Sequence, residues 1–282
     1  MPVLSEVRPS AIAGTWYEGG AEALAFSVDR YISEARLPEL EGEVIAIIAP
    51  HAGHHYSGGV AGYAFAAIKD SSPDVVAVLS PMHHLYPFPL LTTAHSAYET
   101  PLGEILVNGL LVDSLDVKLK ERLRYGLSPV ANDPEHSLEI ELPFLQRAIP
   151  GRFSLLPVML RQQGRDAVRQ LGEALAETIA GKKALMVASS DLSHFYNQAT
   201  AEKLDAAMLA QVEGFSPDGL FDVEAGGLGE ACGLGAIAAV LWAAKSLGAD
   251  RVRVLKHATS GDVTGDYQRV VGYGAAVVLK TR

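Results

Sequence analysis

Apolar residues follow two patterns along this chain. Continuous runs with little polar interruption occur at 44–49 (VIAIIA), 74–80 (DVVAVLS), 153–160 (FSLLPVML), 184–189 (ALMVAS), 251–258 (RVRVLKHA) and 270–279 (VVGYGAAVVL). Runs of this length predict strands, buried on both faces where polar alternation is missing. Between them, apolar residues recur at helical spacing over 27–36, 58–70, 137–149, 164–181, 199–214 and 232–248. The stretch 58–70 is rich in small residues, which predicts close packing on the sheet. The stretch 164–181 has a clean 3.6-residue period and closes on Gly181. Pro143 predicts a kink or break in 137–149. Strands alternating with helices predict an α/β fold, one domain over 1–282, with a mostly parallel central sheet flanked by helices. Residues 1–20 are punctuated by Pro and Gly and carry Trp16 and Tyr17, so they read as an ordered surface segment.

Three of the apolar runs end in small residues and deliver a histidine: His51, His83 and His194. In open α/β sheets, ligands bind beyond the carboxyl ends of the strands. Three such ends lying side by side and parallel would gather imidazoles into a metal or acid–base site. In APHAGHHYSGG (49–59), Pro50 ends the strand because it lacks an N–H. Ser57 is a candidate N-cap for the next helix. His51 is nearest the strand end and is the first candidate, with His54 and His55 at the rim or behind it. In SPMHH (80–84), consecutive side chains diverge, so position favours His83 as ligand and His84 as its supporting neighbour.

Other residues keep two readings. In SSDLSH (189–194), Asp191 orients a histidine or accepts a proton, or else belongs to an N-cap run. In EHSLEIE (135–141), helical spacing would put Glu135 and Glu139 on one face. Glu139 and Glu141 read as acidic residues of a solvated helix start, while Glu135 and His136 stay open. Cys232 follows a Gly-rich turn at a helix start, where a thiol's pKa falls, although a buried inert cysteine is the ordinary reading. Two imidazoles with a carboxylate or a thiolate would complete a mononuclear site. The polar loop HATSGDVTGD (257–266) could close over a pocket. It lacks the Lys-Ser/Thr of a phosphate loop, so no nucleotide is expected.

Composition narrows the function. The 282 residues are 49% hydrophobic and 20% charged, enough for a large core. The net charge is −10 with no Lys/Arg run, which argues against a nucleic-acid partner. No apolar run reaches the roughly 18 residues of a membrane span. The first residues show no signal-peptide pattern. A single cysteine fits a reducing cytoplasm.

VRPSAIAGTWYEGG, APHAGHHYSGG, SPMHH, EHSLEIELPFLQ, SSDLSHF, ACGLG and ATSGDVTGDYQRVVGYGA occur in this order over nearly the whole length. As an ordered set they resemble the Memo family, also called AmmeMemoRadiSam system protein B. The resemblance implies a fold like that of the class III extradiol dioxygenases, which are non-haem iron enzymes. It implies a pocket with His51, His83 and Cys232 as metal ligands and Asp191 and His194 as proton-handling residues. Iron or copper is the expected metal, with zinc ranked after them. The activity implied is that of a metal-dependent oxidoreductase. The alternative is a non-catalytic protein that binds a small molecule or peptide in a vestigial dioxygenase site. A zinc hydrolase is disfavoured because the HExxH spacing is missing. Leu234 stands where the family usually has Arg after the Cys-Gly. His54 and His55 stand where an aromatic or small residue often follows Ala-Gly.

Overall fold

Each of the six apolar runs forms a strand in the computed structural model, which describes residues 6–69 and 71–281. In chain order the first elements are β1 (Val7–Arg8), α1 (Ala21–Glu34), β2 (Glu43–Ala49), α2 (His54–Ala66), β3 (Val75–Pro81), β4 (Leu90–Thr93), β5 (Ala97–Thr100), β6 (Gly103–Leu106), α3 (Gly109–Leu123) and β7 (Ser128–Val130). A 3-10 turn (Glu139–Glu141) leads into α4 (Leu142–Ala148), β8 (Ser154–Leu160), α5 (Arg165–Ile179), β9 (Ala184–Ser189), β10 (His194–Tyr196), α6 (Gln198–Glu213) and α7 (Pro217–Ala225). The chain closes with α8 (Leu234–Ser246), β11 (Arg251–Thr259), α9 (Gly261–Thr264) and β12 (Val270–Lys280).

At the centre of a nine-stranded sheet, β2, β9, β3 and β8 lie side by side and parallel, in that order. Outside them, β12 runs antiparallel to β2 and β4 antiparallel to β8. β10 and β11 pair antiparallel with β12, and β1, β5 and β6 form a second, three-stranded sheet. The order of the central strands positions the site. β9 lies between β2 and β3, and the register pairs Ala49 with Ser189 and Leu79 with Ala188. The carboxyl ends of the three histidine-delivering strands are therefore adjacent.

Strand side chains alternate between two core layers, as a period of two requires. Ala46 and Ile48 of β2 join the layer built with α3, α5 and α8, while Ile47 and Ala49 join the layer with α1, α2 and α4. In α5 the buried positions Val168, Leu171, Leu175 and Ile179 fall three or four residues apart, which gives one apolar stripe. The small residues of α2 allow α1 close by: a Cβ on Gly62 would sit 2.3 Å from the carbonyl oxygen of Tyr31.

Three boundaries differ from the sequence reading. α1 starts at Ala21, because Leu24 extends the stripe of Val28 and Ile32. α2 starts at His54 with Gly53 as its N-cap, so Ser57 is not a cap; its hydroxyl donates to the Ala52 carbonyl at 2.8 Å. Pro143 lies in the first turn of α4, where it displaces no helical hydrogen bond, and so marks a helix start after the 3-10 turn rather than a kink. Among the described residues no helix is long and apolar enough to cross a membrane.

Candidate metal centre

The ends of β2 and β3, on either side of β9, with the irregular segment 131–138, bring together His51, His83 and His136. One ring nitrogen from each lies within 4.8 Å of the other two. The rings of His83 and His136 stack at 4.7 Å between centroids, and His51 stands edge-on to both at 5.3 and 5.5 Å. Helical spacing had left His136 open. The segment is not helical at that point; it follows Pro134 in irregular backbone, which lets its side chain reach the strand ends.

Hydrogen bonds fix which nitrogen two of the rings present. The Ser189 hydroxyl donates its single proton to the Ser137 carbonyl at 2.6 Å, so it accepts from Nδ1–H of His51 at 2.9 Å. His83 Nδ1 lies 2.9 Å from Oε1 of Glu135, and His136 Nδ1 lies 3.3 Å from the same oxygen. An ionised carboxylate only accepts, so the His83 ring presents its Nδ1 proton to it. His51 and His83 are left with a bare Nε2. Burial, which would raise the Glu135 carboxyl, is overcome by hydrogen bonds from His83 and the Ser137 amide and by the nearby imidazoles, and the group is held well below the usual carboxylate range. Burial holds His51 well below the ordinary imidazole value and His136 down at about 4. A ligating histidine whose second nitrogen donates to a carboxylate or hydroxyl is the arrangement metal sites use.

Cys232 enters from the far side of the chain. Its Sγ lies 3.1 Å from Nε2 of His51 and accepts the Asp191 amide at 3.3 Å. Gly233 makes this approach feasible, since a Cβ there would meet the Ser189 carbonyl oxygen at 2.3 Å. The helix-start argument for an acidic thiol does not hold. α8 begins only at Leu234, and burial pushes the Cys232 thiol up. Asp191 is buried too, and its Oδ1 accepts the amides of His51 (2.8 Å) and Ala52 (3.3 Å). Burial nonetheless pushes its carboxyl up to about 7. His194, at the start of β10, is not one of the three converging imidazoles. Its amide donates to Glu230 at 2.7 Å, and burial lowers its ring.

The remaining candidates fall elsewhere. His54 packs in the core against Phe144, with Nε2 3.1 Å from the Ile140 carbonyl oxygen, and burial lowers it to about 4. His55 and His84 are exposed. Glu139 and Glu141 are not solvated: both are buried, at 0% and 1% exposure. Glu139 is held by an ion pair to Arg8 at 2.6 Å, a partner 131 positions away that no local pattern announces. Burial pushes the Glu141 carboxyl well up.

A cleft of about 490 Å³ opens beside the cluster, with Trp16, Tyr56, Phe195 and Tyr273 among its walls. The Trp16 ring also lies against that of His136, 4.1 Å between centroids and tilted by 32°. Ser260, Thr264 and Asp266 line the cleft, but 257–266 is no free loop: it is the end of β11, the α9 turn and the two residues after it. Phe195 has φ 66°, a conformation unfavourable for a side chain of its size.

The model of the family described as Memo-like protein matches residues 8–277. The chain belongs to the Memo family. A MEMO1 family protein of Methanosarcina mazei is 34% identical over 275 residues, covering 97% of this chain and 99% of its own length. Those of Nitrosopumilus maritimus and Thermotoga maritima are each 33% identical, covering 95% and 96% of this chain and 98% and 99% of theirs. Every element that builds the histidine cluster lies inside the matched span.

Proposed function

We propose that this Memo-family chain binds one redox-active transition metal, iron or copper, through His51, His83 and Cys232, with His136 as a further nitrogen donor. The observation that carries the proposal is the convergence of three imidazoles, two of which, His51 and His83, have Nδ1 tied by a hydrogen bond and Nε2 left as a lone-pair donor. The donor set fits such an ion: imidazole suits iron, copper and zinc, and a thiolate favours the softer of these. When bound, the ion supplies one-electron redox chemistry. The protein does the rest. Glu135 and Ser189 hold the rings in register. Asp191, with a carboxyl near neutrality and its backbone partners already met, takes up or returns a proton, and His194 serves as a second carrier. Trp16 covers His136 on the cleft side, while His83 stays open to a ligand. A small molecule or a short peptide segment occupies the cleft. The single cysteine fits a reducing cytoplasm.

The test is elemental analysis of protein purified without oxygen or chelator, expected to give about one iron or copper per chain. A His51→Ala/Cys232→Ala double variant should lose it, and unchanged metal content there would sink the proposal. One observation supports a second reading. The Cys232 thiol and His51 Nε2 satisfy each other at 3.1 Å without an ion, so the pocket could serve as a metal-free binding site. Under that reading chelator-treated protein keeps its full ligand affinity.

A further inference from the structure

The segment that carries Glu135 and His136 has no secondary structure to hold it, yet it sets two of the three imidazoles. Its anchor lies at the other end of the sequence. Arg8, 1% exposed, donates Nε to Asp133 Oδ2 and Nη2 to Asp133 Oδ1, both at 3.0 Å. Nη2 also reaches the carbonyl oxygens of Asp133 and Glu135 at 3.0 and 2.9 Å, and Nη1 donates to Glu139 at 2.6 Å. One planar fork therefore grips both ends and the middle of residues 133–139. Glu139 in turn ties down the N-terminal segment, accepting from Ser10 Oγ (2.5 Å), the Ala11 amide (2.9 Å), the Ile12 amide (3.2 Å) and Tyr17 Oη (2.8 Å). The segment so fixed lays the Trp16 ring on His136 at 4.1 Å and gives the Trp16 carbonyl to the His54 amide at 2.9 Å.

We propose that Arg8 is a positioning residue of the metal centre: it fixes the 133–135 backbone from which Glu135 and His136 project, and through Glu139 it sets the strap that carries Trp16 over the cluster. The proposal rests on the metal-binding reading. Arg8 donates to no candidate ligand, so its effect on metal passes through the carboxylate and the strap. The guanidinium geometry is essential, because a lysine keeps the charge but offers a point donor that cannot span Asp133, the Glu135 carbonyl and Glu139 together.

The chain has two tryptophans, so a Trp242→Phe background leaves Trp16 as the sole tryptophan, which is excited selectively above the tyrosine absorption band. In that background Co²⁺ is titrated by quenching of Trp16, and iodide quenching is read separately in metal-free protein. Arg8→Lys is expected to weaken Co²⁺ affinity about tenfold, as changes behind the ligands typically do, and to raise iodide access. Leu175→Ala, a core truncation in the opposite layer, serves as a destabilised control and should leave both within twofold. Wild-type affinity and iodide access in Arg8→Lys overturn the proposal, as does an equal affinity loss in Leu175→Ala. Should Arg8→Lys not fold, Ser10→Ala/Tyr17→Phe releases the strap while leaving the Arg8 pairs intact. Iodide access must then rise, and unchanged access overturns the proposal. Absence of Co²⁺ quenching in the parent overturns only the metal reading, since the iodide measurement needs no metal.

Discussion

Glu135→Gln isolates the carboxylate from which two imidazoles hang. Glu135 is 1% exposed and faces donors only. Oε1 accepts His83 Nδ1 at 2.9 Å, the His136 and Ser137 amides at 3.0 Å each, and lies 3.3 Å from His136 Nδ1; Oε2 accepts the His83 amide at 2.6 Å. A glutamine in the same rotamer can keep its oxygen at the Oε1 position. Its NH₂ then faces the His83 N–H, donor against donor. One buried N–H loses its partner, at roughly 1–3 kcal/mol, and the remaining bonds drop from charge-assisted to neutral strength. The expected loss of stability is about 3 kcal/mol, read from urea unfolding of metal-free protein. The rings of His83 and His136 also lose the charge that orients them and raises their basicity. Metal affinity should fall about 10–100-fold, or about 1.4–2.7 kcal/mol, read by Co²⁺ calorimetry. A variant that loses stability by that amount but binds Co²⁺ within threefold of wild type refutes the reasoning. Glu135 would then be a structural carboxylate that happens to lie near the rings.

His54, held at about 4 by burial, binds fewer protons folded than unfolded. Its contribution to stability is complete above its ordinary value near 6.5 and is lost as pH falls from there to about 4, by up to about 3 kcal/mol. His54→Gln should flatten the urea-midpoint profile over that window relative to wild type, and parallel profiles would contradict this. Asp191 works in the opposite sense: raised to about 7 by burial, it weakens the metal-free fold as pH climbs from about 4 through 7. Asp191→Asn keeps an oxygen for the His51 and Ala52 amides, so it should stabilise metal-free protein at pH 8 by a few kcal/mol in thermal melts; a destabilised variant would exclude a raised pKa. Gly233→Ala forces a Cβ to within 2.3 Å of the Ser189 carbonyl oxygen. It should cost about 1–3 kcal/mol of stability and displace the Cys232 sulfur, seen as loss of the thiolate-to-metal band in Co²⁺-loaded protein.

What the sequence determined by itself was local. Uninterrupted apolar runs such as 44–49 and 74–80 form strands because little that is polar in them must reach water, and His51 and His83 follow their carboxyl ends into the site. The ordered motifs were enough to indicate the Memo family, which the matched span 8–277 establishes. Tertiary structure decided everything that depends on partners distant in sequence. Strand order made neighbours of the ends of β2, β9 and β3. His136 joined the cluster because its segment is irregular where helical spacing had suggested a helix start. Glu139 was read as a solvated acid and proved buried, because the cation that neutralises it is Arg8, 131 positions away. The Cys232 thiol was moved in the opposite direction from the one its helix-start position suggests, because burial outweighs a helix terminus that begins two residues further on. A residue's own pattern shows whether it wants to be buried or turned. Whether a buried charge is paired, and which imidazoles meet, depends on how distant segments are threaded together.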